Sequence, residues 1–244
     1  MKYLLSLLIL PVSFSFVFAQ VEGRIVYNET VKIEIEGLTS EMADMIPTTQ
    51  SVKKDLLFKG HETVYQNVKG EELEDLEMES EDGSFKIKMM RDDVEDILYK
   101  NLKEKKTIHQ KGLMGKTFVV SDDLNKNKWK ITNEKIKYLD YECQKAVIEE
   151  DDKFVVAWFT SQIPAQIGPG KYHGLPGAIL MISVDDGKRE IKALSIDMNE
   201  VDPNLLKAPN DGKKVTEAEY QRIQDEKMKE MEERYGSRTV KIRH

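Results

Sequence analysis

From Arg24 to Glu36 the chain alternates. Ile25, Tyr27, Val31, Ile33 and Ile35 share one parity, while Arg24, Asn28, Lys32, Glu34 and Glu36 share the other. Successive side chains of a strand point to opposite faces, so this period of two predicts a long, half-buried strand. Thr39–Gln50 has no clear period and reads as a connection. Lys53–Phe58 and Thr63–Gln66 read as a hairpin around Gly60, and Phe85, Ile87 and Met89 alternate with Lys86 and Lys88 as another strand. Between them Asn67–Gly83 is dominated by Glu and Asp, which predicts a solvated, mobile loop.

The pattern continues in short apolar-alternating segments at Ile97–Leu102, Lys106–His109, Lys116–Val120 and Lys128–Asn133, the last placing Trp129 and Ile131 on one face. Cys143–Ile148 and Phe154–Phe159 flank an acidic turn and predict a hairpin. Ala178–Val184 is almost wholly apolar, as expected of a strand covered on both faces. Asp185-Asp186-Gly187 carries a turn signal, and Lys188–Ile196 returns antiparallel. About ten short strands joined by hairpins predict a mainly β fold. The expected form is a single strongly curled antiparallel sheet, a bowl or open half-barrel, with a concave face. After Asp202–Pro209, a loop, Thr216-Glu217-Ala218-Glu219 has the form of a capping box. It predicts a surface helix to about Arg234, stopped near Gly236, before a basic end at Ser237–His244.

One stretch breaks the strand rhythm. Gly168-Pro169-Gly170-Lys171-Tyr172-His173-Gly174-Leu175-Pro176-Gly177 holds four glycines and two prolines in ten residues and runs into the apolar strand at Ala178. Proline fixes φ and restricts the residue before it, and glycine opens positive φ, so the loop has a defined shape. Two readings stand: a tight buried turn anchored by Leu175, or the rim of a binding site. The candidate ligand-binding residues are Trp129, Trp158, Tyr172, His173, Leu175 and Pro176. Gly168, Pro169, Gly174 and Gly177 are the candidate structural residues. Trp and Tyr bury much area and carry one polar handle, which suits both a core and a ligand lining.

The first residues place the chain in a compartment. Met1-Lys2-Tyr3 precedes an apolar run over Leu4–Ala19 that ends in Val17-Phe18-Ala19. This is the form of a secretory signal peptide cleaved after Ala19. Periplasmic or secreted localisation follows as the expectation. Residues 1–19 are then the leader, 20–200 a β bowl domain, and 201–244 a loop, acidic helix and basic end. The formal net charge of −7 becomes −8 when Lys2 leaves with the leader. An acidic surface of this kind disfavours nucleic acid as a partner. Cys143 is the sole cysteine, so no intramolecular disulfide forms, and it reads as a buried small residue rather than a nucleophile.

Motifs for particular chemistries fail on inspection. His61-Glu62-Thr63-Val64-Tyr65 lacks the second histidine of a zinc-protease helix. Gly112, Gly115, Lys116 and Thr117 lack the first glycine of a phosphate loop, and Gly168–Gly174 has the wrong spacing for a dinucleotide. No Gly-x-Ser-x-Gly elbow is present, and His61, His109, His173 and His244 stand singly. The carboxylates do not single out a catalytic pair. No metal, no cofactor and no catalytic residue is expected.

Four blocks together resemble a known family. They are Trp129-Lys130-Ile131-Thr132-Asn133-Glu134-Lys135; Tyr141-Glu142-Cys143-Gln144-Lys145-Ala146; Ala157-Trp158-Phe159-Thr160 with Ile163-Pro164; and Gly168-Pro169 with Gly174-Leu175-Pro176-Gly177-Ala178-Ile179-Leu180. Their order and spacing resemble the GLPGLI family of exported bacterial proteins. Leu98-Tyr99-Lys100-Asn101-Leu102 and Gly115–Asp122 fit the same pattern, and the resemblance runs from about Ile25 to Ile196. Ala178 stands where the eponymous hexad has leucine. The family is similar to the bowl-like, non-catalytic N-terminal domain of some peptide-N-glycosidases, and the resemblance implies a curled antiparallel bowl and no transferable catalytic residue.

Two functions are carried forward. The first is an exported non-catalytic binding module holding an apolar, glycan or peptide partner on the concave face near Trp158, Tyr172 and Leu175. The alternative is an envelope structural or assembly factor whose outer surface and C-terminal helix contact an outer-membrane partner.

Overall fold

A computed structural model describes residues 21–33, 48–70, 76–79, 86–89, 94–150 and 153–235. Residues 1–20, with the expected leader, the stretch 34–47 and residues 236–244, with the expected helix stop and basic end, lie outside the described residues. The strands are β1 Glu22–Lys32, β2 Thr49–Lys59, β3 Glu62–Asn67, β4 Leu76–Glu79, β5 Lys86–Met89, β6 Ile97–Asn101, β7 Lys106–Leu113 and β8 Lys116–Asp123. They continue with β9 Lys130–Tyr138, β10 Tyr141–Glu150, β11 Lys153–Thr160, β12 Ala178–Val184, β13 Arg189–Asp197 and β14 Lys213–Thr216. Among the described residues one α-helix, α1, spans Glu217–Tyr235.

Twelve strands form one open sheet in the order β14-β8-β7-β6-β3-β2-β1-β13-β12-β11-β10-β9. The mainly β class and the C-terminal helix agree with the sequence reading, with two amendments. β4 and β5 pair apart from the main sheet, and β4 falls inside the acidic stretch expected to be a loop. β14 was not anticipated and pairs parallel to β8, because the chain comes back to that edge over a long connection rather than a hairpin. Within that connection Pro203–Leu206 forms a 3₁₀ turn, and Leu206 and Val201 pack on Leu57 and Val64. Thr49 and Gln50, read as part of a connection, belong to β2, and β9 runs on to Tyr138, five residues past the expected segment.

Alternation explains the two faces. Ile25 and Tyr27 of β1, Leu56 of β2, Tyr65 of β3 and Leu98 of β6 are buried together with Ala157 and Phe159 of β11 and Ile182 of β12. This inner face curls strongly. The Tyr138 hydroxyl of β9 donates to the Ala193 carbonyl of β13 at 2.7 Å, although three strands stand between them in the sheet. Tyr27 of β1 likewise donates to Ile179 O of β12 at 2.6 Å. Trp158 faces Met181 and Phe159 faces Ile179, so Leu180 is the extra residue of a bulge in β12. A bulge breaks strict alternation, and Ile179 and Leu180 are both fully buried in consequence. The free edge at β9 is itself irregular: Gln144 pairs Lys135 but Ala146 pairs Ile131. Such an irregular, lysine-bearing edge resists pairing with a further strand.

The other edge is capped by α1. Thr216 N donates to Glu219 Oε2 at 2.9 Å and Glu219 N to Thr216 Oγ1 at 3.2 Å, the reciprocal capping box the sequence announced. Tyr220 then packs edge-on against Phe118, 5.5 Å between ring centroids, and its hydroxyl donates to Gly112 O.

Between β11 and β12 the chain runs back into the curl. Ile163, Ala165 and Ile167 are buried while Pro164 and Gln166 are exposed, an alternating ribbon whose Ile163 and Ile167 carbonyls accept from Ala178 N and Ile179 N at the start of β12. Gly177 closes this loop against the end of β11. A Cβ there would lie 2.0 Å from the Thr160 carbonyl oxygen. Gly177→Val should therefore destabilise the fold by at least about 2 kcal/mol. Urea unfolding of the two proteins checks this, and an unchanged midpoint would show that the loop is not packed.

Candidate functional site

The loop is held from beneath by a lysine. Lys100 lies on β6, where Thr63 of β3 faces it, and it is fully buried. Its Nζ donates to Gly168 O at 2.9 Å, Gly170 O at 2.7 Å and Tyr172 O at 3.3 Å. An ammonium has three N–H donors, so three carbonyls match it one for one. Glycine and proline make this cradle possible. Gly170 sits at φ +54, and a Cβ at Gly168 would come within 2.8 Å of Tyr172 O.

The rim is fixed by two further residues. Trp129 Nε1 donates to His173 O at 2.8 Å, and His173 N donates to Asn127 Oδ1 at 2.9 Å. The Trp129 and Tyr172 rings lie 6.1 Å apart at 49°. His173 Nδ1 is 3.1 Å from Lys171 O, which places the ring hydrogen on Nδ1. Burial pushes the His173 imidazole below its ordinary value, and the Lys100 ammonium adds to that, against the opposing pull of the Lys171 carbonyl. Burial pushes the Cys143 thiol up to about 11, which keeps it protonated and unsuited to nucleophilic attack.

The structure thus gathers Trp129, Tyr172 and His173 and sorts the remaining candidates differently. Tyr172, His173 and Leu175 are buried and bonded within the chain, Trp129 is half-buried, and Pro176 is exposed. Trp158 is not in this group. It alternates with the buried Ala157 and Phe159 and so projects from the other face of β11. The concave side near Tyr172 and Leu175, expected to receive a partner, is filled by the loop itself. Lys100 and Asn127 were not singled out as site residues. In the sequence Lys100 shares the parity of Leu98 and Leu102, which points it inward, but a lone lysine charge reads as solvated. The Ile163, Ala165, Ile167 alternation was the available signal that the loop enters a core.

A second group lies on the same face. The Tyr65 hydroxyl donates to Glu29 Oε2 at 3.1 Å, and Arg189 Nη2 donates to Glu29 Oε1 at 2.5 Å. Lys54 Nζ sits 5.3 Å from the Tyr65 ring centroid and bonds Asp96, whose other oxygen is 2.6 Å from His109 Nε2. Among the described residues no group of three or more His, Cys, Asp or Glu side chains could hold a metal ion. Nor, among them, is any helix long and apolar enough to cross a membrane.

A family model for a protein of unknown function, Porph_ging, matches residues 147–181, from β10 through the loop into β12. No curated protein matches. The fold is similar to that of PNGF-II, a peptide-N-glycosidase F. One solved structure of it is 18% identical with a TM-score of 0.56, covering 84% of this chain and 32% of that one. A second crystal form is 17% identical with a TM-score of 0.54, covering 83% and 33%. The chain therefore spans about a third of the length of these structures. At such identity the likeness is one of fold.

The buried lysine generates a pH-dependent prediction. Burial pulls Lys100 from its ordinary 10.5 to about 7. The carbonyls work against that pull, since a neutral amine could satisfy only two of them. Below pH 7 the folded and unfolded chains both hold the proton. Between about 7 and 10.5 the unfolded chain holds it more firmly, so this residue's contribution to stability rises with pH across that window. Lys100→Met leaves three carbonyls without their donor and should lose at least about 2 kcal/mol at pH 7. The gap between wild type and variant should widen toward pH 10, measured by chemical unfolding at a series of pH values. A constant gap would show that Lys100 keeps its proton throughout.

Proposed function

We propose that this protein is an exported, non-catalytic binding module of the bacterial envelope, a member of the GLPGLI family, that meets its partner on the outer face of β11. The observation that carries this reading is that β11 is apolar on both faces. Val155, Ala157 and Phe159 are buried inward. Phe154, Val156 and Trp158 face outward, with Val147 opposite Val156 and Met181 opposite Trp158. Phe154 is 40% exposed, and Val156, Trp158 and Met181 are half-buried. An apolar sheet face in contact with water is a feature that a partner's surface relieves. Lys145 and Lys192 border the ridge, paired with Glu134 and Glu190. An aromatic ridge with a polar rim suits a peptide or glycan presented by an envelope partner. The leader at residues 1–19 supports export, with Gln20 as the mature start.

A second reading, an envelope structural or assembly factor, draws on α1. The helix docks on the sheet through Tyr220 and Ile223, against the cluster of Phe118, Val120 and Val215. It continues for three further turns to Tyr235, and Asp225, Glu226, Glu230 and Glu233 on it are exposed.

A photo-reactive phenylalanine in place of Phe154, and another in place of Gln221, should separate the two in cells. The expected result is a crosslinked adduct from position 154 that disappears in Trp158→Glu under conditions where that variant, whose half-buried ring packs against the core, is still folded by circular dichroism. Adducts from 221 alone would favour the assembly factor. Absence of adducts from both, or a chain retained in the cytoplasm with Met1 intact, would overturn the proposal.

A further inference from the structure

The inner face has two ends. Register places Lys100 level with Thr63 and Phe58, directly under the loop. One row further along the strands stand Leu56, Tyr65, Leu98 and His109. Beyond them come Tyr27 opposite Lys54, and then Glu29. The loop plugs the first end. The second carries the chain of contacts Arg189–Glu29–Tyr65–Lys54–Asp96–His109.

This is a costly arrangement for stability alone. Glu29 is 6% exposed and Tyr65 4%, so charge and hydroxyl are withdrawn from water beside an apolar core. Buried ion pairs are commonly matched or bettered by apolar residues of similar volume. The network nevertheless reaches solvent, where the side chains of Asp96, Arg189 and His109 are 42%, 32% and 27% exposed.

The open positions in this network are unequal in kind. Both Glu29 oxygens are taken, by Arg189 and Tyr65, and both Asp96 oxygens by Lys54 and His109. The donors are in surplus. Among the described residues Arg189 Nε is buried and has no partner. Among them Lys54 makes one hydrogen bond from three N–H groups, and His109, whose Nε2–H goes to Asp96, adds a second N–H only when its ring is cationic. A group with several acceptor oxygens and negative charge completes such a set. The guanidinium edge and planar imidazole favour a carboxylate.

We infer that the Arg189–Lys54–His109 end of the inner face, opposite the plugged loop, is a binding site for a small carboxylate-bearing ligand. The site uses no residue of the β11 ridge, so it stands or falls separately from the partner proposed for that ridge. In an otherwise acidic chain it is a place where an anion meets a surplus of donors.

The test uses the purified mature chain, residues 20–244, with acetate, D-glucuronate and citrate as probes and inorganic phosphate as the contrasting anion. Tm and amide NMR shifts are followed up to about 20 mM ligand, the range in which a weak single site becomes visible. The expected result is a saturable rise in Tm with at least one carboxylate, with shifts centred on Tyr65 and His109. Arg189→Met should lose it. Should that variant unfold, His109→Gln, at a more exposed position, should weaken binding by about tenfold, the loss of one charge-assisted hydrogen bond. No saturable response to any carboxylate, or a response unchanged in both variants, would overturn the site. An equal response to phosphate would overturn the carboxylate assignment.

Discussion

Everything in this fold accommodates one buried ammonium. Lys100 reaches up from β6 into the ring of carbonyls offered by Gly168, Gly170 and Tyr172. Without a cation there, three carbonyl oxygens would point into an apolar core with no donor. Without the carbonyls, the ammonium would be an uncompensated buried charge. Each side of the contact makes the other tolerable, and together they fix a loop that is otherwise tied to the sheet by a few backbone hydrogen bonds to the start of β12. The prolines and glycines are the covalent means to this end. Glycine admits the backbone where a Cβ would collide, as at Gly168 and Gly177, and proline stiffens the path between.

The anchored loop decides what the curled sheet can do. A bowl of this shape offers its concave side as the natural place for a ligand. Here Ile163, Ile167, Tyr172 and Leu175 fill that side from within. The two proposed sites lie elsewhere, on the far side of β11 and at the other end of the inner face. The two differ in physical character. The β11 ridge is apolar with ion-paired lysines at its border, suited to broad contact. The Arg189–His109 end is polar, small and rich in unused donors. The likeness to PNGF-II extends over most of this chain and about a third of that one, so the common feature is the β scaffold.

Much of the architecture was legible in the chain. Period-two segments gave β1, the β2–β3 and β10–β11 hairpins and the β12–β13 pair, because alternation is imposed locally by the pleat of each strand. The capping box at Thr216 was legible for the same reason, since its two hydrogen bonds link residues three apart. The parallel pairing of β14 was not, because its partner β8 lies about ninety residues away and four residues carry too little pattern. The candidate residues divide in the same way. Tyr172, His173 and Trp129 do meet, but Trp158, near the end of the strand that leads into the loop, projects from the opposite face of that strand.

The sequence by itself determined most of the strands, though not β4 or β14, together with the helix cap and a stiff Gly/Pro corner feeding an apolar strand. These are short-range consequences of side-chain volume, φ restriction and alternation. Only the tertiary structure decided that the corner turns inward, that Lys100 is buried, and that Glu29, Tyr65, Lys54, Asp96, His109 and Arg189 form one connected group. Those contacts join residues up to 160 positions apart. A lysine in an alternating strand looks like a solvated one until the curl of twelve strands brings a distant loop over it.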